Sequence, residues 1–379
     1  MDSFEFEFSV ANGIVAKAER RAPDFILFFG SRASLANPLV YPSLRAAFPM
    51  ARLVGCSTGG QFLRDVIEDD KVCGIGVSFD LAQCRLASQP IADAADSESC
   101  GEKIGTELAG ADLRAVLVIS DGLGVNGSAL VAGLSRAVGP GVTVSGGLAG
   151  DGAAFEKTLV AADCPPRSGL VAAIGFYGQS LVIGSGSAGG WDTFGPRRVI
   201  TKSRGNVLHE LDGEPALNLY ERYLGEDEVR SLPGSALLFP LRIDDPKVAG
   251  RDVMRTVLAV DREARTMTFA GDMPEGWTGQ LMRGSFDRLA NGAAEAARQS
   301  AKFDEELNGF TLLVSCIGRR LLMGQRAMDE VDAAADEISR KHAMVGFYSY
   351  GEISPHATSG FCQLHNQTMT VFSLQERRV

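Results

Sequence analysis

The chain is 379 residues long, 45% hydrophobic and 22% charged, a balance that belongs to a folded globular protein with room for two or three cores. Its net charge of -10 and its lack of a long Lys/Arg cluster exclude a nucleic-acid partner, and no apolar run approaches the ~18 residues that span a bilayer. Seven cysteines, odd in number and without a C-x-x-C pair, argue against a disulfide framework and fit reduced thiols in a cytoplasm.

The start, MDSFEFEFSV, alternates acids with Phe4, Phe6 and Phe8, which predicts an edge strand and has none of the regions of a signal peptide. An apolar strand FILFF (25–29) leads into a helix around Tyr41 to Phe48, a second strand ARLVG and a glycine turn, CSTGGQF. The same order returns as AVLVIS (115–120), SALVAGLSRAV, VTVSG and GLAGDG. It returns again as TLLVSC (311–316), MDEVDAAADEISRK and AMVGFYSYGEI. Each second strand carries a valine followed six residues later by glycine and then a polar residue: Val54, Gly60 and Gln61; Val144, Gly150 and Asp151; Val345, Gly351 and Glu352. This is a divergent internal repeat of strand-helix-strand crossover units.

Further strands, VCGIGVSFD, GLVAAIGFYG with SLVIGSGSA, and LHNQTMTVFSL, come after the three turns and add antiparallel pairing. Between the second and third units lie a hairpin (RVITKSRGNVLHELDG), a helix from Pro215 to Leu224, a second hairpin (RTVLAVDREARTMTFAG) and an alanine-rich helix within 284–309. The predicted architecture is α/β in the mixed α+β sense: repeated strand-helix-strand units forming mixed sheets in two closely packed lobes, with a boundary near 190–225.

ISDGLGVNGSALVAGL, residues 119–134, places Gly122, Gly124 and Gly127 at the spacing of a dinucleotide fingerprint. The next strand ends in Ser145 and Gly146, where such a site needs an acid, and the other two units lack the glycines. The predicted role is a turn made by Asp121 and a helix start made by Asn126.

GCSTGGQF, SDGL with SGGLAGD, NVLHELDGEPALNLYERYLG, SCIGRR, GFYSYGEI and LHNQTM occur in this order across nearly the whole chain. Together they resemble the FIST family of intracellular signal-transduction sensory domains, with an N-terminal part over 1–215 (two units) and a C-terminal part over 216–379 (the third). The resemblance implies a non-enzymatic sensor of a small molecule, an amino acid or related metabolite. With no kinase, receptor or cyclase segment in the chain, it implies signalling through a separate protein such as a histidine kinase. Two alternatives accompany it: a haem-binding nitric oxide sensor, and a ligand-free interaction protein that inhibits a signalling partner.

The candidate ligand site is read from the turns. Tyr348, Tyr350 and Glu352 can stack on a planar ligand and receive a donor, or they can fill a lobe interface and cap a helix. Arg319 can clamp a carboxylate beside Glu352, or pair with Glu352 itself. Cys316 reads as an apolar filler before a reactive thiol. Cys56, Ser57 and Thr58 occupy the equivalent turn of the first unit. His365 and Asn366 complete the set, on a strand whose alternation sends His365 and Gln367 to one face and Asn366 and Cys362 to the other, which disfavours a C-x-x-H metal pair. The cofactor is unspecified except for haem, for which His365 is the candidate axial ligand; His209 and His342 read as solvated, His342 at a charged helix end, and His356 lies in a loop. No G-x-S-x-G, H-E-x-x-H or P-loop is present, so no catalytic residues are assigned.

Overall fold

In a computed structural model the described residues are 1–16, 21–248, 252–300, 303–356 and 360–377. The repeat is visible as three parallel strand pairs: Phe25–Gly30 with Arg52–Ser57, Leu113–Ser120 with Thr143–Leu148, and Gly309–Cys316 with His342–Ser349. Helices Val40–Ala47, Gly127–Val138 and Ala327–Ala335 lie between the members of each pair. Beside the first strand of each pair runs an antiparallel strand, Val72–Ser78, Leu170–Tyr177 or Met369–Glu376. Beyond these lie Asp2–Ser9, Gln83–Pro90 and Leu181–Ala188. The fold is mixed α+β, as the sequence predicts.

Alternation along the central strands explains their unbroken apolar character. Phe25, Leu27 and Phe29, Leu117 and Ile119, and Phe310, Leu312 and Val314 point into one core shared by all three sheets. Phenylalanines knit it together: Phe29 stacks on Phe347 at 4.6 Å between centroids, Phe25 meets Phe310 edge-on at 5.6 Å, and Phe176 lies over Phe372 at 6.0 Å. The intervening residues face helices: Ile26 and Phe28 join the cluster of Leu44, while Val116, Val118 and Leu313 share a cluster with Leu130, Leu134, Ala293 and Val331. A strand buried on both faces has no polar side to show in the sequence.

After its second strand, each unit leaves its own sheet. Gln61–Leu63 pairs with His342–Ser349, Val160–Ala162 with Arg52–Ser57, and Gly351–Pro355 with Thr143–Leu148. The first unit thus hands a strand to the third, the second to the first, and the third to the second. Each sheet has six strands, and each is completed by a neighbour.

Residues between Trp191 and Gly284 form a fourth sheet of nine strands, inserted between Leu181–Ala188 and the rest of the third unit. It has its own core around Ile200, Leu217, Tyr220, Ile243 and Phe269. Both predicted hairpins are here, and Pro215 caps the helix Ala216–Leu224.

Three local expectations change. Asp2–Ser9 is not an edge, because Gly13–Ala16 folds back onto it. The strand in LHNQTM stops at His365, and Gln367 turns the chain with φ 62°, so alternation does not carry through to it. His342 opens a strand and is buried, because its ring packs on Phe303 and not in water. Among the described residues, no helix is long and apolar enough to cross a membrane.

Candidate functional site

The three crossings meet beyond the C-terminal ends of the parallel pairs, the place where sheets of this kind bind ligands. Their backbones interlock: Gly59 N–H donates to Tyr348 O (2.9 Å), Tyr348 N–H to Gly60 O (2.8 Å), Gly150 N–H to Ser57 O (2.9 Å) and Tyr350 N–H to Leu148 O (3.2 Å). Gly60 has φ +126°, and a Cβ there would overlap the Arg320 guanidinium, which itself pairs with Asp69 and donates to Gly59 O.

The polar residue after each crossing glycine serves its own turn. Gln61 accepts from Thr58 Oγ1 (2.9 Å) and donates to Lys71 O (2.6 Å). Glu352 accepts from Ser349 Oγ (2.7 Å), Thr368 N (3.0 Å) and Thr368 Oγ1 (2.9 Å). Burial nevertheless pushes its carboxyl up to about 8. Asp151 accepts three successive N–H groups, from Phe155, Glu156 and Lys157, each at 3.0 Å, and also the Tyr350 hydroxyl.

At Asp151 the convergence reaches the surface. Arg32 Nη1 lies 3.1 Å from the buried Asp151 carboxylate and 2.9 Å from Glu156, whose side chain is exposed. Arg32 itself is about one-third exposed. Beside it, the Phe155 and Tyr350 rings stack at 4.5 Å with an interplanar angle of 11°. A cation, two anions and an aromatic wall therefore share one partly open rim. Arg32, Phe155 and Glu156 escape the sequence reading; the one signal pointing toward them is Asp151, at the repeat position of Glu352.

Comparison with known families gives a FIST N domain over residues 24–214 and a FIST C domain over 216–355. The chain belongs to the FIST family. FIST domains are sensory domains of signal transduction. An uncharacterized protein of Methanocaldococcus jannaschii is 24% identical over 360 aligned residues, which cover 83% of this chain. This FIST chain spans 66% of that relative's length.

The sequence-derived site residues of this FIST chain are all buried. Cys56, Ser57 and Thr58 stand at the first crossing, with Ser57 Oγ accepting from Leu159 N (2.9 Å). Burial raises the Cys56 and Cys316 thiols, the reverse of what a nucleophile needs. Tyr348 packs edge-on against Phe62 at 4.6 Å and carries the Arg320 guanidinium over its face at 5.2 Å. Tyr350 alone among the candidates reaches the rim. Arg319 does not pair with Glu352: the next helix brings Glu330 to its Nε at 2.8 Å and Nη2 at 2.7 Å, and its remaining donors meet the carbonyls of Gly189 and Leu289. It is a buried strut between helices, with no guanidinium edge left for a ligand carboxylate.

Asn366 bridges to the small lobe formed by the fourth sheet, accepting from Thr256 N (3.3 Å) while its Nδ2 donates to Tyr350 O (3.4 Å). Arg255, which the sequence reading missed, makes the same junction through Leu364 O (3.0 Å) and Ser128 Oγ (3.3 Å). Burial lowers the Arg255 pKa to about 10.

His365 Nε2 is 3.2 Å from Ser354 O, its ring lies parallel to His356 at 6.0 Å, and burial lowers its pKa to about 3. With its buried Nε2 turned to Ser354 O, His365 does not offer that nitrogen for axial ligation of haem. The fingerprint glycines are structural: Asp121 accepts from Leu123 N and Gly124 N, Asn126 Oδ1 caps the helix at Ala129 N, and a Cβ on Gly122 would overlap Ala149 O.

Proposed function

We propose that this FIST protein is a non-enzymatic sensor that binds a small zwitterion, an amino acid or related metabolite, at the Arg32–Asp151–Tyr350 rim, and that it signals through a separate protein such as a histidine kinase. The observation that carries this reading is Arg32, held between a buried carboxylate and an exposed, displaceable one beside an aromatic wall. A ligand carboxylate takes the place of Glu156 on Arg32, the ligand ammonium meets the freed Glu156, and its side chain lies on Phe155. Tyr350 is the link inward: its hydroxyl bonds Asp151, and its carbonyl is held by Asn366, which reaches the small lobe at Thr256. In this reading Cys56, Ser57, Thr58, Cys316, Arg319, Tyr348, Glu352 and His365 shape and transmit, and do not touch the ligand. Seven unpaired thiols support a reducing, cytoplasmic setting.

Calorimetric titration with the common amino acids tests the proposal. Binding by at least one of them, weakened about tenfold or more by Arg32→Ala and by Phe155→Ala, is expected. No heat with any of them, or binding indifferent to both substitutions, would overturn it.

A further inference from the structure

The second parallel pair has an open end far from the crossings, where Leu113–Ser120 and Thr143–Leu148 begin. The turn that leads from Leu170–Tyr177 into Leu181–Ala188 folds against it, with Gly178 N–H donating to Asp112 O (3.0 Å). Met369–Glu376 finishes beside that turn: Leu181 stands opposite Glu376, and Arg377 N–H donates to Ser180 O (2.9 Å). The second and third sheets meet here around a cavity of about 450 Å³, the size of a small-molecule pocket. Arg114, Thr143, Gln179, Val182, Ile183 and Arg377 line it, and it shares no residue with the Arg32 rim.

The charge on this lining has one sign. Arg114 and Arg377 belong to it and no acid does, in a chain whose net charge is -10. The adjoining cavity, which also touches Arg377, carries Asp80, Glu306 and Glu376, but these carboxylates are engaged elsewhere. Glu376 accepts the N–H groups of Asp80, Leu81 and Ala82 at 2.6 to 2.8 Å and pairs with the Met1 ammonium at 3.2 Å. Asp80 pairs with Met1 and Arg21, and Glu306 with Lys341. Asp112 reaches the lining through the Gln179 amide at 3.4 Å and is exposed, where solvent screens it.

The donors are also oriented. Gln179 Oε1 accepts from Arg114 Nη1 at 2.8 Å, which steers that guanidinium and leaves its Nε and Nη2 uncommitted. Among the described residues, no acid pairs with Arg114 or Arg377. Thr143, the first residue of its strand, adds a hydroxyl. A guanidinium presents parallel N–H bonds to an oxyanion, and two of them match the two charges of a phosphate monoester, where a carboxylate supplies one. Val182 and Ile183, half-buried, give an aliphatic wall beside these donors.

We infer that this cavity binds a small phosphate monoester, with the phosphate on Arg114, Arg377 and Thr143 and the organic part along Val182 and Ile183. The ³¹P resonance of butyl phosphate, titrated with the full chain, tests it. The line should move saturably, and Arg114→Gln and Arg377→Gln should each weaken the affinity about tenfold, the worth of a charge-assisted hydrogen bond. Arg340→Gln, which removes the same charge from an exposed position outside this cavity, and Arg32→Ala should both leave it unchanged. Pentanoate, a carboxylate with the same aliphatic tail, should compete about tenfold more weakly than inorganic phosphate. A line that does not move saturably, an affinity indifferent to either arginine of the cavity, an equal loss with Arg340→Gln or Arg32→Ala, or pentanoate competing as well as phosphate would each overturn the inference. Because the rim is tested by different ligands and substitutions, the failure of either proposal leaves the other standing.

Discussion

Glu352→Gln isolates the most strongly perturbed carboxyl at the crossings. In the fold this carboxyl titrates near 8, against an ordinary value of 4.5, because burial outweighs its three hydrogen bonds. Between those values the folded chain holds a proton that the unfolded chain has released, so stability falls as the pH rises. From pH 5 to pH 8 the loss is on the order of 3 kcal/mol. Two of the three partners are hydroxyls that can accept as well as donate, so a neutral group is accommodated: glutamine can donate to Ser349 Oγ and accept from Thr368. Urea unfolding of both proteins at pH 5 and pH 8 reads the difference; the wild type should lose on the order of 3 kcal/mol more than the variant. His342 and His365, with pKa values lowered to about 4 and about 3, work in the opposite sense, costing stability as the pH drops below their ordinary 6.5, but they do so equally in both proteins. Parallel pH dependence in wild type and variant would refute the argument and mean that Glu352 is ionised in the fold.

Phe347→Ala removes a ring shared by three sheets and should lower unfolding free energy by about 3 to 5 kcal/mol in urea titration. Asp151→Ala removes the acceptor of three backbone N–H groups, two of them open to water, and leaves the Tyr350 hydroxyl to Gly152 O alone; it should cost about 1 to 2 kcal/mol, read as a fall in the urea midpoint. Gly60→Ala imposes a disallowed φ and displaces Arg320, a loss of about 3 kcal/mol; in an Arg320→Ala background the penalty should shrink, so the double-mutant cycle is non-additive.

The repeat was legible because a strand-helix-strand unit is local: its apolar runs, helix and closing glycine all fall within one stretch of chain. The strand pairing beyond each glycine was not. Gln61–Leu63 and Gly351–Pro355 pair with strands hundreds of residues away, and nothing in three to five residues names a distant partner. The same locality misled the site reading. A polar residue at a strand end looks alike whether it opens onto a rim, as Tyr350 and Asp151 do, or satisfies its own turn, as Glu352 does. Arg319 showed its donors but not Glu330, eleven positions on across a helix junction. His342 read as solvated, and Arg255 drew no notice, because charge and polarity in sequence default to the surface and only tertiary packing overrides that default.

The circular handing-on of strands bears on how the chain leaves the ribosome. The first sheet waits for Val160–Ala162, the second for Gly351–Pro355, and the third, begun with Gln61–Leu63, for Met369–Glu376. Until Gly351–Pro355 and Met369–Glu376 have emerged, the nascent protein exposes the edge of Thr143–Leu148 and the inner faces of sheets meant to share one phenylalanine core. Vectorial synthesis thus completes the first sheet by Ala162 and the fourth by Gly284, while the second and third keep unpaired edges until their late strands arrive, an interval of exposure to wrong pairing.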